Sequence, residues 1–319
     1  MANETRLFFA TDIHGSDWCF RKFVNAAKVY EADVLVLGGD ITGKQLVPIV
    51  PEPAGGWRAS EGGAAVQLRT EQERDTLLKR AAMIGAYALD ITDDEEEQRL
   101  RADAAYRNER FLGAMRDLLE SWVRIAEERL APQGIPLYMM LGNDDEQELT
   151  EIIESSAWVH QAEGDVCRVA DRYEMVSWGW STPTPWDTPR EQTEAEMAQS
   201  IAAMTDRLSD PERAIFNLHC PPYESGIDDA PALDDDFRPI VKGGHPKQIP
   251  VGSRAVREAI ERCAPLIGLH GHVHDASGTQ MVGRTRCFNP GSNYQHGVLR
   301  GVLVRLRNGK LRDWTFTRG

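Results

Sequence analysis

Hydrophobic positions gather into five short runs: Leu7-Phe8-Phe9-Ala10, Val34-Leu35-Val36-Leu37, Leu137 to Leu141, Ala214 to Leu218 with Asn217 within it, and Leu266 to Leu269 with Gly268 within it. Four or five consecutive apolar residues suit a strand buried on both faces. Between the runs the spacing turns helical. Ser16 and Asp17 read as the cap and first turn of a helix reaching about Tyr30, with Phe20, Phe23, Val24 and Ala27 on one side. A polar helix is expected from about Arg190 to Leu208, with Met197, Ile201, Met204 and Leu208 inward, and others over Glu146–Ser155 and Val256–Cys263. Residues 166–169 and 175–180 alternate like strands. Gly301 to Leu306 and Leu311 to Thr317 flank Asn308-Gly309, the signature of a hairpin with a type I′ turn.

Residues 44–132 depart from this α/β rhythm and are expected to form a helical insertion within a single domain spanning 1–319. Prolines and glycines crowd residues 47–63, which read as a loop. Thr70 and Glu73 have capping-box spacing ahead of Leu77, Ala81, Ile84 and Ala88. Thr92 and Glu95 repeat that spacing before Asp93 to Glu97. Phe111, Met115, Leu118, Trp122 and Ile125 then give a long helix one apolar stripe, closed by Pro132 and Gly134. The insertion is expected to pack on the core and to influence substrate choice, as a lid or as a surface for homo-oligomers.

The 319 residues are 41% hydrophobic, enough for a substantial core. A net charge of -14 removes the general basic footprint of a nucleic-acid binder. Cys19, Cys167, Cys220, Cys263 and Cys287 are odd in number and lack a C-x-x-C pair, so they read as reduced thiols of a cytoplasmic protein. Cys220 reads as a small buried residue and not as a nucleophile. The stretch Met1 to Arg6 has no signal-peptide pattern, and no apolar run nears the ~20 residues that span a bilayer.

The candidate chemistry sits where the runs stop. The first ends in Thr11-Asp12-Ile13-His14-Gly15 and the second in Gly38-Gly39-Asp40. The third ends in Gly142-Asn143-Asp144-Asp145, the fourth in His219-Cys220-Pro221, and the fifth in His270-Gly271-His272-Val273-His274. In open α/β sheets, ligands bind beyond the carboxyl ends of the strands. Asp12, His14, Asp40, Asn143, His219, His272 and His274 would converge there. Seven mixed oxygen and nitrogen donors exceed what one tetrahedral ion takes. They suit two ions sharing a bridging carboxylate, with Mn, Fe, Zn or Co preferred over Ca or Mg because of the imidazoles.

Asp12-x-His14, Gly39-Asp40, Gly142-Asn143, His219 and Gly271-His272-x-His274, in that order, resemble the calcineurin-like metallophosphoesterases. Asn289-Pro290-Gly291-Ser292 is similar to a turn often seen in that family. The resemblance implies a four-layer α/β/β/α sandwich. It implies that Asp12, His14, Asp40 and His274 hold one divalent ion, manganese favoured, and that Asp40, Asn143, His219 and His272 hold the other. The implied reaction is hydrolysis of a small phosphomonoester or phosphodiester by a hydroxide shared between the ions. One position departs from the pattern. The family usually has histidine after the asparagine, and here that residue is Asp144. With Asn143 it is the catalytic candidate, as a protonated acid or as a group orienting a ligand. Leaving groups of low pKa are then expected to be favoured. His270, His245 and His296 are further candidates for the acid. A nuclease and a non-catalytic metal-binding module of the same fold are the competing readings.

Overall fold

The structure is a computed structural model that describes residues 4–61 and 64–319. Its centre is two six-stranded sheets. The first runs, in spatial order, Lys310–Arg318, Arg300–Arg307, Glu4–Ala10, Val34–Gly38, Leu137–Met140 and Val159–Gln161. The second runs Gly278–Val282, Thr285–Asn289, Ile267–Leu269, Ile215–Leu218, Tyr173–Trp178 and Val166–Val169. In each sheet the interior strands carrying the apolar runs pair in parallel. Antiparallel strands close one edge of the first sheet and both edges of the second.

The apolar runs follow from burial on both faces. Side chains alternate along a strand with period two. Leu7, Phe9, Val34 and Val36 accordingly join the layer between the sheets with Met175, Ile215, Leu269 and Phe288. Phe8, Ala10, Leu35 and Leu37 face the other way, onto the helices Asp17–Val29 and Ala104–Leu130. On the far side, Val176, Phe216 and Leu218 pack against the helices Glu194–Thr205 and Arg254–Cys263. The result is the four-layer α/β/β/α sandwich, metallophosphoesterase-like in architecture. Among the described residues, no helix is long and apolar enough to cross a membrane.

The segment 44–132 is not purely helical. Gln45–Pro51, Trp57–Glu61, Ala64–Leu68 and Ala86–Asp90 form a separate four-stranded sheet. The loop expected over 47–63 is therefore corrected to two strands and a turn. The prolines and glycines misled because only Gly55 and Gly56, both at positive φ, make the turn, while Val47, Ile49 and Val50 are buried. Gly62 and Gly63, part of that expected loop, lie outside the described residues, as do Met1 to Asn3. The helix after Thr70 ends at Ile84 because Gly85 takes a left-handed cap, so Ala88 belongs to a strand. The next cap is Asp93, whose side chain accepts from Glu96 N, and not Thr92. Asp103 caps a second helix, splitting the long one expected.

That second helix, Ala104–Leu130, forms part of the outer layer of the sandwich. Met115, Leu119, Trp122, Val123, Ala126 and Leu130 are buried on it. The Trp122 ring stacks on Phe20 at 4.4 Å between centroids, and its Nε1 donates to Asp17 Oδ1 at 3.0 Å. Trp122→Ala removes the largest fully buried side chain and orphans a carboxylate oxygen of Asp17. It is expected to cost about 3–5 kcal/mol, read as a lowered midpoint in urea denaturation. A loss below about 1 kcal/mol would show that the helix does not carry the first sheet's outer face.

Candidate metal centre

The parallel strands of both sheets point their carboxyl ends at one place, and the loops leaving them are bonded to one another. Asp12 N donates to Gly39 O and His14 N to Asp40 O, each at 3.0 Å. Gly271 N donates to His219 O at 2.9 Å, joining two loops of the second sheet. The sheets are joined by His272 N donating to Asp12 Oδ1 at 3.0 Å and by Ser292 Oγ donating to Asp12 O at 2.5 Å. Asp144 N donates to Asp40 Oδ1 at 3.0 Å. Asp12, His14, Asp40 and His272 all sit at positive φ, between 39° and 66°. Non-glycine residues adopt that region at a cost, and it persists where the surroundings over-determine it. Gly142 and Gly271 allow the closest approaches: a Cβ on Gly142 would overlap Asp40, and one on Gly271 would overlap Thr11 and Asp12.

The seven side chains singled out from the sequence lie together. Potential donor atoms of Asp12, His14, Asp40 and His274 lie within 4.8 Å of one another, as do those of Asp40, His219 and His272. Asp40 belongs to both groups. His219 Nε2 is 3.4 Å from Asp40 Oδ1, His14 Nε2 is 3.7 Å from Asp40 Oδ2, and His274 Nε2 is 3.3 Å from Asp12 Oδ1. Asn143 joins through its Oδ1, 2.7 Å from His272 Nδ1.

These residues suit a metal. Asp12 and Asp40 are each 1% exposed, and buried carboxylates need compensating charge. Burial opposes charge on His219, but the Asp40 carboxylate overrides it and lifts the imidazole to about 10. Burial holds His14 down to about 3 and His272 to about 4, which keeps both as neutral, ligand-competent imidazoles. His219 Nδ1 lies 2.8 Å from Gly38 O, an acceptor, so the proton sits on Nδ1 and directs Nε2 inward. That buried Nε2 and His14 Nδ1 have no hydrogen-bond partner. His14 Nε2 and His274 Nε2 lie 2.9 Å apart, close enough to share a proton or an ion. The groups present can hold a metal ion.

Above this floor opens a cavity of about 810 Å³, bounded by Asp40, Lys44, Asn143, Asp144, His272 and His274 at its base. Asp144 is pushed up to about 7 by burial and by the Asp40 charge, with Lys44 opposing. Lys44 Nζ pairs directly with its carboxylate. His245 and His296 are exposed and do not line this cavity, and His270 is fully buried, so none of the three faces it. Burial pushes the Cys220 thiol up to about 12, in keeping with a small buried residue.

Sequence reasoning passed over three supports. Asp145 is fully buried and accepts from Ile41 N, Thr42 N, Thr42 Oγ1 and Gly142 N, so one carboxylate shapes the loops bearing Asp40 and Asn143. Its signal was its place in the run Gly142-Asn143-Asp144-Asp145. Arg190, 1% exposed, donates to Gly142 O and Gln147 Oε1 and pairs with Glu163. Nothing local distinguishes it from a surface arginine. Lys44 follows the glycine after Asp40 and looked like the first residue of the insertion. Asn289 Nδ2 donates to Val273 O at 3.0 Å, steadying the loop between His272 and His274.

A buried Asp/His cluster at the carboxyl ends of an α/β/β/α sandwich defines a protein with a metallophosphoesterase-like fold and a site able to bind metal. The chain is 31% identical over 119 residues to an uncharacterized protein, MJ1162, of Methanocaldococcus jannaschii, a match covering 36% of this chain and 47% of that one. The chain thus spans about half the length of that relative. The structure superposes on TT1561 of Thermus thermophilus with a TM-score of 0.54 and 14% identity, covering 99% of this chain and 98% of that one. A second solved structure superposes at 0.56 with 13% identity over 100% and 99% of the two chains. These likenesses concern the fold. No protein-family model matches the chain.

Asp145→Ala leaves every metal-binding candidate in place but frees both loops. It is expected to weaken Mn²⁺ or Zn²⁺ binding about 10–100-fold, measured by titration calorimetry, with the far-ultraviolet dichroism of the folded chain retained. Unchanged affinity would show that the loops keep their shape without it.

Proposed function

We propose that the chain is a metal-dependent phosphoric ester hydrolase that carries two divalent transition-metal ions, manganese favoured, and cleaves small phosphomonoesters or phosphodiesters. One observation carries this reading: two Asp/His groups meet at a shared buried carboxylate, Asp40. In this reading Asp12, His14, Asp40 and His274 hold one ion, and Asp40, Asn143, His219 and His272 hold the other. Bound there, divalent ions supply Lewis acidity that activates water and neutralises charge on phosphoryl oxygens.

The chain's own groups do the positioning. Thr188 Oγ1 accepts from Asn143 Nδ2 at 3.0 Å, which turns the amide oxygen toward His272. Gly38 O fixes the His219 tautomer, and the His272 backbone N–H holds Asp12. Asp144 stands where a bare carboxylate would repel a phosphoryl group. The Lys44 ammonium offsets that charge and brings N–H donors to the base of the cavity. Lys44 is thereby the candidate for the contact to phosphate oxygens that the family's histidine supplies, with Asp144 orienting it. The cavity opens to solvent at the carboxyl ends of the strands, where a small ester can enter. The five free cysteines fit a reducing compartment, so a cytoplasmic place of action is part of the proposal.

Metal analysis of purified protein is expected to find two ions per chain, with turnover of 4-nitrophenyl phosphate or bis(4-nitrophenyl) phosphate. Asp40→Ala should lower that turnover about a thousandfold or more, on the order of 4 kcal/mol of transition-state stabilisation. Protein that stays metal-free at undiminished stability, and inert to both esters, would favour a non-catalytic module of the same fold.

A further inference from the structure

The base of the cavity carries the metal-binding candidates and Lys44. The rest is walled by two segments that bring most of its apolar residues, alongside Thr182, Thr184, Asp187 and Thr188. One is the loop 181–190, which brings Pro183, Pro185, Pro189 and Trp186 to the cavity. The other is the antiparallel pair Asp229–Pro231 and Gln248–Pro250 with its flanks, which brings Ala230, Pro231, Leu233, Ile249 and Val251.

Both walls are preorganised. Ser181 N donates to Arg190 O and Gln192 N to Ser181 O, closing the base of the loop. Thr184 Oγ1 and Thr188 N and Oγ1 all donate to Glu191 Oε1 at 2.6–2.9 Å. Arg190 N donates to Asn143 O at 3.1 Å, fastening the same loop to the site. Three prolines restrict the backbone further. The second wall is held by the fully buried Asp228, which accepts from Glu224, Ser225, Gly226 and Gly252 N. Against this frame Trp186 is 65% exposed. An exposed indole on an anchored loop beside a reactive centre is poised to stack on a ligand at small entropic cost.

Size and charge narrow the ligand. A volume of about 810 Å³ lies in the range of small-molecule sites, roughly 300–1,000 Å³, and exceeds what a phosphoryl group fills. Among the described residues that line the cavity, Lys44 is the one Lys or Arg, and it is already paired with Asp144. Asp187 and Asp275 line it as well. A second anionic group on the substrate would meet those carboxylates with no cation to receive it.

We propose that this cavity selects phosphoesters bearing a single phosphoryl group and an uncharged, apolar, preferably aromatic leaving group, with Trp186 as the residue that sets the preference. The inference rests on the hydrolase reading above and names its substrate class. In the reaction, water adds to phosphorus, the bond from phosphorus to the ester oxygen breaks, and the departing oxygen takes a proton from that water. The products are the free hydroxyl compound and phosphate. Trp186 grips the departing part and touches neither the phosphorus nor the ions.

The test compares phenyl phosphate with glycerol 2-phosphate on Mn²⁺-loaded wild type, Trp186→Ala and Trp186→Phe. Intrinsic reactivity cancels in the ratio of kcat/KM values between protein forms. The ratio of phenyl to glycerol ester should fall about tenfold in Trp186→Ala, through KM, and return to within about threefold in Trp186→Phe. Calorimetry gives a readout apart from turnover: phenylphosphonate should bind the loaded wild type about tenfold more tightly than methylphosphonate does, and the margin should vanish in Trp186→Ala. A ratio and a margin unmoved by the substitution, with turnover intact, overturn this inference and leave the hydrolase reading standing. Absence of turnover of either ester by loaded wild type overturns both.

Discussion

Two carboxylates, Asp12 and Asp40, lie almost wholly out of water at the join of the two sheets, and the surrounding structure is arranged to tolerate them. A buried anion is destabilising unless charge and hydrogen bonds compensate it. Backbone N–H groups of His272 and Asp144 supply part of that compensation, and the imidazoles of His219 and His274 lie within 3.4 Å of the two carboxylates. Carboxylates hold His219's pKa high while burial drives His14 and His272 low. Neighbouring imidazoles are thereby pushed in opposite directions within one small volume.

The same constraint explains why the sandwich has two sheets in register. Asp12, Asp40 and Asn143 leave strands of the first sheet, while His219, His272 and His274 leave strands of the second. Neither sheet alone assembles a complete donor group. What holds the halves together is the apolar layer between them, where Leu7, Phe9 and Val36 meet Ile215, Leu269 and Phe288. A shift of one sheet over the other would separate Asp12 from His272 and His274 at once. Core packing and site geometry are thus one problem, and the left-handed backbone at Asp12, His14, Asp40 and His272 is strain that this packing sustains.

The sandwich was legible because burial on both faces writes itself as apolar runs, and the cluster was legible because each run ends in a tight turn bearing a donor. The inserted sheet was not. Its strands are short and half exposed, and Pro48 and Pro51 lie inside one of them, so composition spoke for a loop. The cap at Asp93 was displaced because the acidic residues 93–97 offer equivalent capping oxygens, and only the tertiary fold chooses among them, while Asp103, an isolated acid, gave no local sign of the break it caps. Asp145, Arg190 and Lys44 went unread for a related reason. Their partners, such as Thr42, Glu163 and Asp144, are distant in sequence, and no local spacing encodes a contact between loops.

Lys44 shows how far the insertion reaches into the site. It precedes the inserted strand Gln45–Pro51, so the strand that begins the extra sheet also sets the direction of the ammonium beside Asp144. Gly43 N donates to Tyr87 Oη at 2.8 Å, and Ser16 Oγ donates to Met83 O at 2.5 Å. The inserted sheet and its helix are therefore bonded directly to the loops that follow Asp40 and His14. A Cβ on Gly43 would overlap Gly85 O, and one on Gly85 would overlap His14 O, so the approach leaves no room for adjustment. An insertion fastened this closely cannot move without moving the floor of the cavity. Its contribution is the fixed placement of one cation beside Asp144, while the facing walls of the cavity are built from other parts of the chain.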